Sequence, residues 1–181
     1  MDAAELLREH TIQDIYSLPD GRRAELIDGR LYMMAAPDML HQRISAYLHN
    51  EIYNFIREKN GRCEAFAAPF AVFLDADDRT YLEPDISVIC DEKKLTGRGC
   101  FGAPDWIIEI VSPSSRMMDY YKKLFLYRRA GVLEYWIADW DKNRLTVYDF
   151  RHETVKEYAF SDAVTSSVLE GLVIDFSWIK P

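Results

Sequence analysis

Two acidic residues in strongly apolar stretches are the residues of this chain best suited to chemistry. Asp85 lies within residues 81–89 and Glu109 within residues 106–112, and both stretches have the β-branched, apolar composition of buried strands. Alternation places Glu109 on the same face as its apolar neighbours. A buried carboxylate is costly unless it pairs with a cation, binds a metal or has a raised pKa. Two of them on two strands of one sheet therefore indicate a shared cation and a candidate metal site.

The chemistry that these carboxylates could perform depends on their neighbours. Mg²⁺ or Mn²⁺ takes oxygen ligands, commonly one or two carboxylates with waters and substrate phosphates, and Asp85 with Glu109 supplies that minimum. Glu25, in a predicted hairpin strand, is either solvated or a third acid of the site. Lys122 and Lys123 follow the Glu109 strand on a predicted helix, and one of them is expected to reach back toward the strand end. Phosphodiester hydrolysis requires such a positive charge beside a metal-activated water.

The first half of the chain contains the elements that must position these acids. A short helix is predicted over residues 11–18 with Thr11 as its N-cap, followed by a hairpin over residues 24–35 whose turn is Asp28 and Gly29. Asp38 then begins a long helix that continues to about Asn60, with Gly61 as the residue that ends it. Strands are predicted over residues 63–67, 70–74 and 81–90.

The second half continues this alternation of strands and helices. Residues 91–103 form a charged, glycine-containing excursion with one helical turn, and the Glu109 strand follows. A helix runs from Ser114 or Ser115 to Ala130, with Gly131 just past its end. The remaining strands are predicted over residues 133–138, 144–150, 155–160 and 171–175. The 181 residues, 49% of them hydrophobic, suit one α/β domain spanning residues 1–181.

Net charge limits the classes of partner. The chain carries 22 basic and 30 acidic residues, a formal charge of −8, which counts against affinity through broad neutralisation of phosphates. A nucleic-acid enzyme would need a local basic patch, for which the candidates are Arg22, Arg23, Arg98 and Arg116, together with bound divalent cations.

Location in the cell is predicted from the cysteines and the apolar runs. No run approaches the ~20 residues needed to span a bilayer, and the charged start lacks the apolar region of a signal peptide. The three cysteines, Cys63, Cys90 and Cys100, are odd in number and widely spaced. They fit a reducing cytoplasm better than a disulfide framework or a zinc site.

Five segments in order resemble a known family. The chain resembles the PD-(D/E)XK nuclease superfamily, and specifically its Uma-two family of restriction-endonuclease-like proteins. The resemblance runs from about residue 25 to residue 139. The markers are the ELIDGR segment that begins at Glu25, His41, the EPD segment that ends at Asp85, residues 103–114 around Glu109, and residues 123–139.

The resemblance implies a restriction-endonuclease-like core: a central mixed sheet flanked by helices, with added hairpins. It also implies a Mg²⁺- or Mn²⁺-dependent cleavage of phosphodiester bonds, most naturally in DNA, and a homodimer with two active sites. Asp85 and Glu109 match the family's metal-binding acids, Lys123 matches a displaced catalytic lysine, and Glu25 joins the site through the family marker. Val111 occupies the position where the general E-x-K motif has lysine.

Less specific readings stay open beside this one. Asp85 could be a turn residue, and Glu109 could form a nonfunctional ion pair with Arg116 or Lys123. His41 is expected to be packed or hydrogen-bonded, with the alternative that it reaches the site, and Tyr127 is expected to pack beside the lysine stem. For the whole chain, the alternatives are a catalytically silent nuclease fold that binds DNA or protein, and a metal-independent carboxylate-pair glycosidase.

Overall fold

The computed structural model describes residues 9–75, 77–113 and 115–179. A π-helical turn over Met118–Lys123 leads directly into the third α-helix, and 3₁₀ turns cover Glu92–Lys94, Trp140–Lys142 and Phe176–Trp178. The helices and strands follow one another as α1 (Ile12–Tyr16), β1 (Ala24–Ile27), β2 (Arg30–Met33), α2 (Met39–Glu58), β3 (Glu64–Ala67), β4 (Val72–Phe73), β5 (Ile86–Ile89), β6 (Leu95–Thr96), β7 (Gly99–Phe101), β8 (Trp106–Ile110), α3 (Leu124–Ala130), β9 (Glu134–Asp139), β10 (Arg144–Asp149), β11 (Thr154–Tyr158), β12 (Ala163–Thr165) and β13 (Val173–Asp175).

A mixed sheet is the centre of the fold, as the family resemblance implies. Across the described residues its six strands follow the order β11-β10-β9-β8-β5-β3. β8 and β9 run parallel and are connected by the helical segment that includes α3, whereas the other neighbours pair antiparallel. A parallel pair requires such a crossover connection, which places the helix on one face of the sheet.

Helices cover both faces of β8, which is buried along its whole length. The face of Trp106 and Ile108 packs with the apolar stripe of α2, whose buried residues recur every fourth position from Ile44. The opposite face, with Ile107, packs with Tyr127 of α3. Glu109 alternates onto that second face, as predicted, and therefore lies between the sheet and the third helix.

The hairpin of β1 and β2 pairs with the segment that precedes β5. Asp28 and Gly29 adopt φ values of 49° and 76° in its turn, which confirms the turn predicted from this pair. The Leu26 and Tyr81 backbones exchange two hydrogen bonds of 2.8 Å. This pairing brings Glu25 to the segment before β5, where its Oε1 accepts a hydrogen bond of 3.1 Å from the Glu83 N–H.

The cysteine prediction is wrong. Cys63 and Cys90 form a disulfide, while Cys100 is buried and free. The register of β3 and β5 pairs Glu64 with Ile89, so the residues just outside each strand end lie opposite one another. The sequence contains no sign of this register, and the argument from cysteines to a reducing compartment loses its premise.

Several smaller differences concern element ends. The long helix ends through Asn60, which takes the left-handed φ of 49°, and not through Gly61. The helical turn predicted within residues 91–103 is the one over Glu92–Lys94. β6 and β7 lie within residues 91–103, for which no strand was predicted, and β12 lies in the last part of the chain, where it was also not predicted. Each of these three strands spans only two or three residues, too few to show a periodic pattern. Within the described ranges, no helix has both the length and the apolar character needed to cross a membrane.

Candidate active site

The ammonium group of Lys123 lies among three buried carboxylates. Its Nζ is 2.9 Å from Glu25 Oε2, 2.9 Å from Glu109 Oε1 and 3.6 Å from Asp119 Oδ1. All four side chains are at most 6% exposed. Glu25 comes from β1, Glu109 from β8, and the other two from the π-helical turn that follows β8. We call these four residues the lysine cluster.

Local helix geometry aligns the lysine cluster with two tyrosines. Asp119, Lys123 and Tyr127 follow at intervals of four, so all three side chains lie on one face of the helical segment. The Tyr127 hydroxyl donates a hydrogen bond of 2.7 Å to Glu109 Oε1. The Tyr135 hydroxyl donates one of 3.1 Å to the Asp119 carbonyl oxygen. Isolated π-helical turns are frequent at functional sites. The turn in this protein contains Asp119 and Lys123, two of the four residues of the lysine cluster.

Asp85 and His41 form a second pair next to the lysine cluster. His41 Nε2 lies 3.2 Å from Asp85 Oδ1, and the backbone N–H of Ile110 donates a hydrogen bond of 2.7 Å to Asp85 Oδ2. Because Ile110 follows Glu109 on β8, this bond joins the two predicted metal-binding acids through one strand. His41 is held in the first turn of α2, where its backbone N–H donates to the N-cap residue Asp38 at 2.8 Å.

Burial and surplus negative charge control the titration of the site. Burial raises the pKa of Glu109 well above its ordinary value, while Lys123 acts in the opposite direction. Burial likewise raises the pKa of Asp119, to about 6. For Lys123, burial lowers the pKa, but the charges of Glu109 and Glu25 outweigh it and the pKa is raised. The lysine therefore keeps its charge, and the surplus carboxylates favour uptake of a proton or a cation.

The imidazole of His41 titrates under two opposed influences. Burial lowers its pKa, but the hydrogen bond and charge of Asp85 outweigh burial and the pKa is raised. A protonated His41 would therefore compensate Asp85.

The residues present fit a hard divalent cation. Among the described residues, no three His, Cys, Asp or Glu side chains form a metal site by themselves. Mg²⁺, however, commonly takes one or two carboxylates and fills its other positions with water and phosphate oxygens. The Oδ1 atom of Asp119 is buried and accepts no hydrogen bond from the residues that the structure describes. This atom and the surplus of carboxylates over ammonium groups show a local deficit of positive charge, and the donor set consists of the oxygen atoms that such a cation prefers.

The two adjacent lysines have different partners. Lys122 Nζ contacts the Tyr32 hydroxyl at 2.5 Å and lies 4.6 Å from the centre of that ring, whereas Lys123 enters the lysine cluster. The ion pair between Glu109 and Lys123 that a nonfunctional reading allowed is present. It belongs to a larger acidic set, though, and a purely structural pair would not need the additional buried acids Glu25 and Asp119.

The arginines predicted to contact DNA are mostly engaged with other groups. Arg116 donates to both oxygens of Asp139 at 2.9 and 3.0 Å, and does not pair with Glu109. Arg23 pairs with Glu83. Arg98 donates a hydrogen bond of 2.8 Å to the Tyr16 hydroxyl, while Arg22 is exposed.

Sequence reasoning missed Asp119 and the hydrogen bond of Tyr127. The signal that could have found both was the spacing of four residues to either side of Lys123 on a predicted helix. Val111, in contrast, is buried in the apolar cluster on the same face as Glu109. Lys123 Nζ lies 2.9 Å from Glu109 Oε1, so positive charge reaches this carboxylate from the helical segment and not from the strand.

A solved structure has the same fold as this chain. The crystal structure of a protein described as "a putative nuclease belonging to DUF820", from Anabaena variabilis, superimposes with a TM-score of 0.75 at 21% sequence identity, covering 92% of this chain and 94% of that one. At this identity the likeness shows the fold.

A curated relative extends the comparison at the sequence level. An uncharacterised protein of Synechocystis sp. is 27% identical over 110 residues, which are 61% of this chain and 56% of that protein. The matched region thus spans little more than half the length of the curated relative.

A family model covers most of the chain. The Uma2 model, described as "Putative restriction endonuclease", matches residues 12–177, a range that contains the lysine cluster, Asp85 and His41. With this coverage, and with a mixed sheet that matches a nuclease fold, the chain belongs to the Uma2 family of restriction-endonuclease-like proteins.

Proposed function

We propose that this protein is a Mg²⁺- or Mn²⁺-dependent endonuclease that hydrolyses phosphodiester bonds in DNA. The observation that carries the proposal is the position of the Lys123 ammonium, 2.9 Å from both Glu25 and Glu109. Acids and a lysine gathered next to Asp85 are the groups that metal-assisted phosphodiester hydrolysis needs. Membership of the Uma2 family supports the same reaction class.

Each residue of the site has a distinct role in this proposal. Asp85 and Glu109 would hold the divalent cation, which when bound supplies a water of lowered pKa and a Lewis acid for the phosphate. Lys123 stabilises the negative charge that develops on the phosphate oxygens, an interaction made mainly in the transition state. Glu25 holds the lysine in place from β1, because its Oε2 is a second ion-pair partner of Lys123 at 2.9 Å.

Two further residues support the carboxylates. Tyr127 fixes the rotamer of Glu109 through the hydrogen bond to Oε1, which leaves the rest of that carboxylate for the cation. His41 orients Asp85 through its contact with Oδ1. Its raised pKa favours the protonated form of His41 beside the site, as a group that donates a proton to a leaving oxygen requires.

Plasmid cleavage tests the proposal. Purified protein is incubated with supercoiled plasmid and with a labelled linear duplex, in Mn²⁺, Mg²⁺ or EDTA. Nicked and linear products should form with the metals and not with EDTA, and Lys123→Met should abolish cleavage. Lys122→Met is the matched control and should cleave normally, because its ammonium contacts Tyr32 and not the acids. Absence of cleavage in either metal, at any salt concentration tried, would contradict the proposal.

A catalytically silent DNA-binding module is the second candidate, and the observation behind it is Val111 at the motif's lysine position. It predicts DNA binding that does not respond to Mn²⁺ and that survives Glu109→Gln unchanged. The surplus of buried acids around Lys123 favours the enzyme, because carboxylates at this site would repel a phosphate backbone unless a cation intervened.

Assembly and location complete the proposal. A homodimer would present two active sites to the two strands of a duplex, and equilibrium sedimentation of the purified chain measures this directly. A cytoplasmic location also stays a prediction, now without support from the cysteines, since Cys63 and Cys90 are bonded.

A further inference from the structure

The disulfide between Cys63 and Cys90 closes a loop that contributes two contacts to the candidate active site. Asp85, one of the two acids assigned to the cation, belongs to this loop. So does Glu83, whose backbone N–H donates a hydrogen bond of 3.1 Å to Glu25 Oε1. The covalent bond therefore closes the chain segment that positions one metal-binding acid and supports a partner of the catalytic lysine.

One pair of strands connects the disulfide to Asp85. β3 and β5 pair antiparallel over four residue pairs, and Cys63 and Cys90 lie directly beyond one end of this ladder. At the other end, the backbone N–H of Ala68 donates a hydrogen bond of 3.0 Å to the Asp85 carbonyl oxygen. A change in strand pairing at the disulfide is thus only one short ladder away from the Asp85 backbone.

β3 is the less secure strand of this pair. Across the described residues it is the last strand in the order of the sheet, with β5 as its neighbour. Its four residues are exposed or half-buried, whereas the four residues of β5 are all buried. On the helix side, His49 Nε2 contacts the Ala65 carbonyl oxygen at 3.1 Å. Segments with few buried contacts open locally at low cost, and a disulfide opposes such opening because it restricts the opened chain.

The disulfide can be reached from the surface at Cys63. Both of its cysteines are half-buried. Cys63 also lines a cavity of about 180 Å³ between the end of α2 and the beginning of β3. This volume is below the range for small-molecule sites, about 300–1,000 Å³, so the cavity gives access to the sulfur and does not hold a ligand of its own. Access to one sulfur is a condition for thiol–disulfide exchange.

The exchange reaction is balanced by a dithiol reductant. One thiolate of the dithiol attacks Cys63 Sγ, the Sγ–Sγ bond breaks, and Cys90 leaves as a thiolate that takes up a proton. The second thiolate of the reductant then attacks its own sulfur in the mixed disulfide and releases Cys63, which is protonated in turn. Two electrons pass from the dithiol to the protein disulfide, and the reductant ends as a cyclic disulfide.

We propose that the Cys63–Cys90 disulfide is a redox switch of the candidate active site, in which a dithiol opens the bond, loosens β3 and weakens the positioning of Asp85 and Glu25. This inference names a regulation of the proposed nuclease and rests on that proposed function. Reduction should leave the fold in place, because β5 keeps its pairing with β8. The Ile110 N–H likewise remains to hold Asp85 Oδ2, so the switch changes the strength of the site and does not dismantle it.

Amide hydrogen exchange in EDTA measures this coupling without metal or DNA. The oxidised wild-type protein is compared with protein reduced by dithiothreitol and freed of reagent by anaerobic gel filtration. The amides of Ala68 and Glu83 should exchange at least about tenfold faster after reduction, because the loop that contains them is no longer closed. Exchange within β10 should stay the same and is the internal control, since β9 and β8 separate β10 from β5.

Calorimetric titration with Mn²⁺ then measures the effect on the site. Reduced protein should bind Mn²⁺ about 10- to 100-fold more weakly, the loss typical when a group that supports a metal ligand is removed. Reoxidation with oxidised glutathione should restore the affinity. The double variant Cys63→Ser, Cys90→Ser should match reduced protein and should not respond to either reagent. Cys100→Ala is the matched control and should respond as wild type does, because Cys100 is a free cysteine outside the disulfide.

Each outcome decides for or against the switch. Unchanged exchange at Ala68 and Glu83 overturns the inference, and so does faster exchange with unaltered Mn²⁺ affinity, since the disulfide would then only stabilise the edge of the sheet. Loss of circular dichroism on reduction also overturns it, as does a thiol titration that finds Cys63 and Cys90 free in air-exposed protein. If neither form binds Mn²⁺, the proposed nuclease function fails, whereas faster exchange at both amides still supports redox control of this segment.

Discussion

Replacing Lys123 by methionine removes the positive charge between three buried carboxylates while keeping most of the length of the side chain. Lys123 contacts Glu25, Glu109 and Asp119 within 3.6 Å and is 6% exposed. Water therefore cannot take over the compensation of these acids. The expected result in metal-free protein is a large loss of stability at neutral pH.

The size of the loss follows from the geometry. Removal of one partner from a buried ion pair costs about 3–5 kcal/mol. For a domain of this length, about 1 kcal/mol shifts Tm by 2–4 °C, so Lys123→Met should lower Tm by roughly 6–20 °C. Lys122→Met is expected to cost less than about 1 kcal/mol, because Lys122 is half-buried and its Nζ has Tyr32 as a partner.

The pH dependence of this loss has a definite sign. Buried carboxyls whose pKa is raised in the folded state add stability at low pH, and they lose that contribution as pH rises through the folded pKa. Without Lys123 the pKa of Glu109 should rise further, since the lysine is the group that opposes its increase. The difference in stability between wild type and Lys123→Met should thus shrink as pH falls from 7 toward 5.

Urea unfolding followed by circular dichroism at pH 7 and pH 5, in EDTA and in excess Mn²⁺, measures these quantities. Mn²⁺ should restore part of the stability of Lys123→Met, because a divalent cation replaces the lost charge. The reasoning is refuted if Lys123→Met loses less than about 1 kcal/mol at pH 7, or if its loss is the same at both pH values.

The remaining predictions concern the acids and their supports. Asp85→Asn and Glu109→Gln should weaken Mn²⁺ binding in calorimetric titrations while leaving the fold intact; unchanged affinity in both would remove them as metal ligands. Asp119 has a pKa of about 6 against an ordinary 3.8, so its contribution to metal-free stability should fall by about 3 kcal/mol as pH rises from about 4 to about 6. Asp119→Asn should reduce the slope in pH-dependent unfolding to the part that Glu109 contributes. Tyr127→Phe removes the hydrogen-bond donor to Glu109 Oε1 and should lower the free energy of unfolding by about 1–3 kcal/mol. It should also lower kcat more than it changes KM, and an unaltered kcat would exclude a positioning role for Tyr127. DNA binding without divalent metal should weaken steeply with salt in anisotropy titrations, and tight, salt-independent binding would favour the silent module.

Local pattern was sufficient for most elements of this fold and for several residues of the candidate site. The hairpin at Asp28 and Gly29, the long helix after Asp38 and the strand of Glu109 each have turn, cap or periodicity signals within their own segments. Glu109 was identifiable because a charged residue interrupts an apolar strand, and burial of that residue has chemical consequences wherever the strand lies. Short strands such as β6 and β12 have too few residues for such a signal.

Tertiary structure decided what the local pattern left open. Spacing alone could not tell which of Lys122 and Lys123 contacts the acids, because this depends on how the helical segment after β8 lies over the sheet. In the structure, Lys123 contacts Glu109 and Lys122 contacts Tyr32. Glu25 enters the site because β1 pairs with the segment before β5. The disulfide likewise depends on the register of two strands that are distant in sequence. Residue types and their spacing thus determined which groups can do chemistry. Strand register and helix packing determined which of those groups come into contact, because a contact between distant segments cannot be read from either segment by itself.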